Sequence, residues 1–232
     1  MAIYAIADLH LSFSTNKPMD VFGEQWAGHD KKLKANWLRL VEGQDFVVIP
    51  GDISWAMSLD EAIEDFKFID SLPGHKIISK GNHDYWWTSV SKLNKFIHEH
   101  GFSSISFLHN NSYAENGVAI CGTRGWKCPE SEEDLKIYNR ELQRLEASLK
   151  NACNGSSITE KIAVFLHYPP FDSEGKPLDF VNIMKKYNVS TCCYGHLHGA
   201  GGRNIITGDI NGIDFKFIAA DYLNFTPERL FT

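Results

Sequence analysis

An α/β fold follows from three features of this chain of 232 residues. Short apolar runs of strand character alternate with segments whose apolar residues recur at helical spacing. Several of those runs stop on Asp, Asn or His, the residue types that gather ligands at the ends of α/β strands. The composition, 43% hydrophobic and 22% charged, is ordinary for a globular protein, and the length is enough to bury a sizeable core. Length predicts one domain over residues 1–232. No repeat, low-complexity tract or linker divides it; the loopiest stretch, CNGSSITE, is short.

Taken in order, residues 3–8 (IYAIAD) read as a buried strand ending on Asp8. Residues 31–42 read as a helix, with Leu33, Trp37, Leu40 and Val41 on one face. The run DFVVIPGD repeats the first design and ends on Asp52. Ser58 and Glu61 then form a capping-box pattern ahead of a helix marked by Ile63, Phe66 and Ile69 and stopped by Pro73-Gly74. HKIIS is a third strand running into KGNHD, and SVSKLNKFIHEHG a third helix closed by Gly101. SISFLHN and NGVAICGTRG are expected to be a further pair of strands. A long amphipathic helix follows over 131–150, with Leu135, Tyr138, Leu142, Leu145 and Leu149 as a continuous apolar stripe. KIAVFLH ends on His167, VSTCCYGHLH ends on His196 and His198, and residues 214–223 are read as the last strand.

The formal net charge of −6 and the absence of a Lys/Arg run argue against a nucleic-acid backbone binder. Five cysteines without regular spacing do not form a disulfide framework; they read as thiols in a reducing cytoplasm. The N-terminus has no basic region or long apolar run of the signal-peptide kind, and no stretch approaches the roughly 18 apolar residues of a membrane span. The chain is therefore expected in the cytoplasm, where the N-x-S/T matches at Asn110, Asn154, Asn188 and Asn224 carry no meaning.

Five strand ends carry potential metal ligands: Asp8 and His10; Asp52; Asn82, His83 and Asp84; His167; His196 and His198. A lone strand-end Asp is usually a helix cap and a lone His usually structural. Five repeats of one placement point to a shared site. In an extended segment residues i and i+2 face the same way, so Asp8 and His10 are expected to reach one site, and so are His196 and His198. With Asp52, Asn82 and His167 this makes seven candidate ligands, about the number two metals need with one carboxylate shared. Mixed carboxylate, imidazole and amide donors suit Mn, Fe or Zn.

The ordered set DLH at Asp8, GD at Gly51, GNHD at Gly81, His167 and GHLH at Gly195 resembles the calcineurin-like metallophosphoesterase superfamily. The resemblance spans residues 8–198, and the full set is far more specific than any one block. It implies two packed mixed β-sheets flanked by helices, with two divalent metal ions at their C-terminal edge. Asp8, His10 and His198 would hold one metal, Asn82, His167 and His196 the other, and Asp52 would bridge them. His83 would protonate the leaving group or stabilise the transition state, with Asp84 holding it from behind. The implied activity is hydrolysis of phosphate mono- or diesters by attack of a metal-bridging hydroxide. No G-x-S-x-G or Walker loop competes with it.

Other readings stay open. Trp55, Tyr85 and Trp86, with Trp87 and Tyr168, are either a stacking wall for a flat substrate group or packing of helix starts on the sheet. Arg124 is either a bidentate phosphate clamp or a salt-bridge residue. His29, His75, His98, His100 and His109 fall outside the ligand set and read as surface or loop residues. The substrate expected is a phosphate ester of a small molecule or a nucleotide, with a nucleic-acid nuclease of the same superfamily and a non-catalytic binding scaffold as alternatives. The short acidic chain disfavours the nuclease. An intact ligand set disfavours the scaffold.

Overall fold

The computed structural model describes residues 1–155, 159–199 and 205–232. In chain order the elements are β1 (Ile3–Ala5), α1 (His29–Leu40), β2 (Phe46–Pro50), α2 (Ile63–Ser71), β3 (His75–Ser79), α3 (Val90–Glu99), β4 (Ile105–Phe107), β5 (Tyr113–Glu115), β6 (Val118–Thr123), α4 (Glu132–Asn154), β7 (Lys161–Leu166), α5 (Asp179–Lys186), β8 (Thr191–Tyr194), β9 (Gly208–Ile210), β10 (Ile213–Phe217) and β11 (Glu228–Phe231). Two short 3-10 turns, Met19–Phe22 and Glu24–Trp26, precede α1.

Two mixed sheets form. The first runs β11-β1-β2-β3-β4, the second β5-β6-β7-β8-β10-β9. In the first, only β11 is antiparallel to its neighbour. In the second, the outer strands β5 and β9 are antiparallel and the four inner strands parallel. The two strands expected as a pair, β4 and β6, thus lie in different sheets.

Side-chain alternation explains why the strands read as unbroken apolar runs. Ile3, Ala5, Val48 and Ile77 of the first sheet meet Ile120, Ala163, Phe165 and Cys193 of the second in one buried layer. The alternate residues Tyr4, Val47, Ile49 and Ile78 face α1, α2 and α3 through Leu33, Trp37, Phe66 and Leu93. On the far side Val164, Leu166 and Cys192 meet Leu145, Leu149, Phe180 and Met184 of α4 and α5. Strands with a cover on both faces have no polar face to alternate with.

Details of two helices, α2 and α4, depart from expectation. The Ser58 hydroxyl does accept from Glu61 N, but the Glu61 carboxylate accepts from Met57 N, and the helix starts only at Ile63. Leu135 is exposed and lies outside the packed cluster that takes Tyr138, Leu142, Leu145 and Leu149 of α4. The C-terminal carbonyls of α2 are met by a fully buried lysine. Lys76 Nζ donates to Leu72 O at 2.6 Å and Gly74 O at 2.8 Å, and burial pulls its pKa down to about 8.

No helix of the described residues is long and apolar enough to cross a membrane. Cys121, Cys192 and Cys193 are buried free thiols, whereas Cys128 and Cys153 are exposed free thiols.

Candidate metal centre

All five predicted strand ends converge. The end of β1 keeps pairing with the end of β2 past the regular strands, through Asp8 N to Gly51 O at 3.0 Å and His10 N to Asp52 O at 2.9 Å. Ala7 N reaches across to Ile218 O of the second sheet at 2.8 Å and draws the two sheet edges together. The backbone is not extended there: Asp8, His10, Asp52 and His196 all have positive φ, between 47° and 74°. Non-glycine residues held in that region cost about 1 kcal/mol or more each and collect at functional sites.

That twist corrects one expectation and preserves another. Asp8 and His10 still join the same cluster, with His198. His196 and His198 do not share a site, because the turn at His196 sends its ring to a second cluster with Asp52 and His167.

In the first cluster His10 Nε2 lies 3.1 Å from His198 Nε2, and His198 Nε2 lies 3.8 Å from Asp8 Oδ1. In the second, His167 Nε2 lies 3.1 Å from His196 Nδ1 and 2.6 Å from Asn82 Oδ1. Asp52 stands between them. Its Oδ2 is 3.8 Å from His10 Nε2 and 3.6 Å from His167 Nε2, while its Oδ1 accepts from His83 N at 2.8 Å.

Each remaining ligand is aimed by what its other atom does. Asp8 Oδ2 accepts from His196 N at 2.9 Å, leaving the buried Oδ1 without a hydrogen bond. His198 Nδ1 is paired at 3.0 Å with Asp221 Oδ1, so Nε2 faces the cluster. Gly81 and Gly195, which open two of the motifs, are needed for close approach. A Cβ on Gly81 would collide with the Asp52 carboxylate, and one on Gly195 with Asp8 Oδ2.

Electrostatics suit cations. Burial holds His10 and His167 well below the usual imidazole value, and burial with the neighbouring His167 takes His196 to about 3. These rings are neutral and offer lone pairs. Burial also raises Asp8 and Asp52; at Asp8 the His198 charge opposes the rise and the Asp52 charge adds to it, and at Asp52 the His83 N–H and the neighbouring histidines oppose it. His198 alone is raised: burial opposes its charge, but the bond to Asp221 and the charge of Asp8 outweigh it. Facing neutral nitrogens, two carboxylates and an orphan buried oxygen fit a pair of borderline divalent ions.

The sequence candidates divide clearly. The His83 ring sits beside the first cluster, 5.8 Å from His10 and 4.4 Å from Trp55, with a buried and unpartnered Nδ1. Asp84 makes no hydrogen bond to it, contrary to expectation. Its Oδ2 accepts from Asp52 N and Gly81 N, and its Oδ1 from Ile53 N, Ser54 N and Trp86 Nε1. Asp84 therefore ties the Asp52 loop to the GNHD turn.

Among the aromatics, Trp86 is buried, edge-on to Phe66, and has no face for a ligand. Trp55 lies nearly parallel to His10 at 5.0 Å, with its N–H 3.1 Å from Met19 Sδ. Tyr85 is exposed, 6.1 Å from the His83 ring. Trp87 packs edge-on against Phe107. Tyr168 packs on His196 at 4.2 Å. The Arg124 guanidinium lies over Trp126 and 3.8 Å from the buried Glu141, while its carbonyl accepts from His167 N and Tyr168 N.

Two of the histidines outside the set are not surface residues. His29 begins α1, buried against Trp26. His75 lies in β3 and bonds Ser106 Oγ at 2.8 Å.

Two contributors escaped sequence reasoning. Asp221 follows β10 through the apolar run FKFIAAD, the same strand-then-carboxylate pattern that marked the other ligands. Trp26, edge-on to both His10 and His198, comes from a 3-10 turn with no motif around it.

Two cavities flank the centre. One, of about 310 Å³, opens on the first cluster and His83. The other, of about 510 Å³, opens on His196 and Tyr168, with Lys127, Glu130 and Asp172 on its walls.

A family model described as calcineurin-like phosphoesterase matches residues 1–200. No curated protein sequence matches the chain. Its fold is similar to that of a protein of unknown function from Aquifex aeolicus, at 18% identity and a TM-score of 0.55, over 98% of this chain and 95% of that one. It is also similar to phosphopantetheinyl hydrolase from Mycobacterium tuberculosis, at 12% identity and a TM-score of 0.57, over 99% of this chain and 95% of that one. At such identities the likeness is one of fold.

Proposed function

The chain belongs to the calcineurin-like phosphoesterase family, and on that premise we propose that it is a two-metal phosphohydrolase acting on small phosphate mono- or diesters. The observation that carries this reading is Asp52 Oδ2, within 3.8 Å of a ligand nitrogen in each cluster. Two divalent ions held there supply charge for the phosphoryl oxygens and a water acidified to near neutral pH.

The residues divide the work. Asp8, His10 and His198 would hold one ion, Asn82, His167 and His196 the other, and Asp52 would serve both. Asp221 fixes the His198 tautomer by occupying Nδ1. Asp84 positions Asp52 through the backbone it binds. His83, beside the first cluster and not bonded to it, gives a proton to the leaving oxygen. No nucleophilic side chain is required, since phosphoryl transfer rests on positioning and charge stabilisation.

A small substrate fits a net charge of −6 better than nucleic acid does. The exposed thiols Cys128 and Cys153 favour a reducing compartment, the cytoplasm. The test is a panel of phosphomonoesters and phosphodiesters with protein reconstituted separately with Mn, Zn and Fe(II). Metal-dependent hydrolysis of at least one ester class is expected. Two ions bound per chain with no hydrolysis of any ester would instead favour a binding scaffold.

A further inference from the structure

The cavity on the first cluster differs in kind from the one on the second. Among the described residues its wall is Met19, Phe22, Trp26 and Trp55 together with His10, His83, His198 and Gly199; no Lys, Arg, Asp or Glu lines it. The imidazole nitrogens there belong to the metal centre or to the acid. The Trp55 N–H, which could have met a ligand oxygen, is turned onto Met19 Sδ. Among the described residues that line the cavity, a sugar or charged group placed here would meet no hydrogen-bonding side chain outside the metal ligands, His83 and the two indoles.

The apolar character continues outward. Phe22 is 62% exposed and its neighbour Val21 71%, both on the 3-10 turn that supplies Met19. Met57, two residues beyond Trp55, is 63% exposed. Of these, Phe22 is itself part of the cavity wall, and a large exposed apolar side chain in a concave site marks a surface that takes an apolar ligand.

The position of His83 says which part of a substrate this is. A group that protonates the leaving oxygen lies on the leaving group's side, and His83 is part of this wall. The two indoles are already engaged. Trp55 has His10 nearly parallel to it and the Lys17 ammonium 5.3 Å over its ring. Trp26 receives His10, His29, His198 and Phe225 edge-on. A nucleobase seated between the indoles needs an open indole face, whereas a flexible chain packs against their edges, Met19 and the exposed Phe22.

Resting on the phosphohydrolase reading above, we infer that the alcohol this protein releases carries an aliphatic or acyl chain next to the ester oxygen, seated between Met19, Phe22, Trp26 and Trp55. The polar remainder of a diester falls on the other side, toward Lys127, Glu130 and Asp172.

The test is a homologous series: ethyl, butyl and hexyl phosphate, and the matching alkyl methyl phosphates. Leaving-group basicity is nearly constant along it, so kcat/KM reads the fit of the chain. An increase of roughly fourfold per methylene is expected until the cavity is full. Phe22→Ser, a change at an exposed position, should lower the hexyl-to-ethyl ratio. Calorimetry with hexyl- and ethylphosphonate, which cannot be hydrolysed, should show the same ratio falling in binding. A flat series, or a ratio untouched by Phe22→Ser, overturns the inference while leaving a phosphohydrolase in place. Failure of the two-metal protein to hydrolyse any member, alongside the wider ester panel, brings down both.

Discussion

The two halves of the metal centre use similar donors in different settings. Asp8, His10 and His198 sit beside the proposed acid His83 and open on an apolar cavity, and His198 is braced from behind by Asp221. Asp52, His167 and His196 are joined by the Asn82 amide and open on a larger cavity with charged walls. Hydrogen bonds to backbone groups hold the joint between them: the Asp84 carboxylate accepts from Asp52 N and Gly81 N, and the Gly51 and Asp52 carbonyls accept from Asp8 N and His10 N. A nearly symmetric ligand set thus opens on two unlike surroundings, one apolar and one with charged walls.

The largest effect on this comparison should come from its shared member. Asp52→Asn removes the carboxylate between the clusters, and both ions and activity should be lost together by elemental analysis and assay. Retention of two tight ions and full turnover would break the comparison. Next is His83→Ala, which should keep both ions and lose about 10²–10⁴-fold in kcat. The loss should shrink for nitrophenyl leaving groups, which need little protonation. Equal losses for alkyl and nitrophenyl esters would take the acid role away from His83.

Asp221→Asn sharpens the comparison, since it touches only the first half. Metal affinity there should fall about 10–100-fold and affinity at the second site should hold, as read by stepwise metal titration. An equal fall at both sites would show Asp221 to be merely structural.

The smallest effect should come from a change remote from both halves. Lys76→Met should leave the metal ratio alone and alter only the pH dependence of stability. The folded pKa, about 8, lies below the ordinary 10.5, so between these values the unfolded chain binds more protons and the Lys76 contribution to stability rises with pH. That rise should be missing from denaturant titrations of Lys76→Met relative to the parent.

Much of the centre was legible because each ligand ends an apolar run, and strands covered on both faces announce themselves by unbroken hydrophobicity. The same rule, applied once more, would have caught Asp221. Other features left no such mark. β11 pairs with β1 through a short stretch, ERLF, whose Glu and Arg hide its strand character. The segment holding α5, DFVNIMKK, is too short for its period to stand out. Most partners of Asp84 are backbone N–H groups, which side-chain chemistry in a sequence does not reveal, so its tie between the Asp52 loop and the GNHD turn leaves no mark there. Trp86 looked like its exposed neighbour Tyr85, and only packing against Phe66 separates them. The Asp-x-His and His-x-His motifs were read with extended geometry. Positive φ at His196 is what parts His196 from His198.

The central claim is that Asp52 joins two cation sites into one centre. Anomalous diffraction from crystals loaded with manganese tests it most directly. Two peaks about 3.5–4 Å apart are expected, one among Asp8, His10 and His198 and one among Asn82, His167 and His196, with Asp52 Oδ2 in contact with both. A single peak, or two peaks with Asp52 ligating only one, would contradict it.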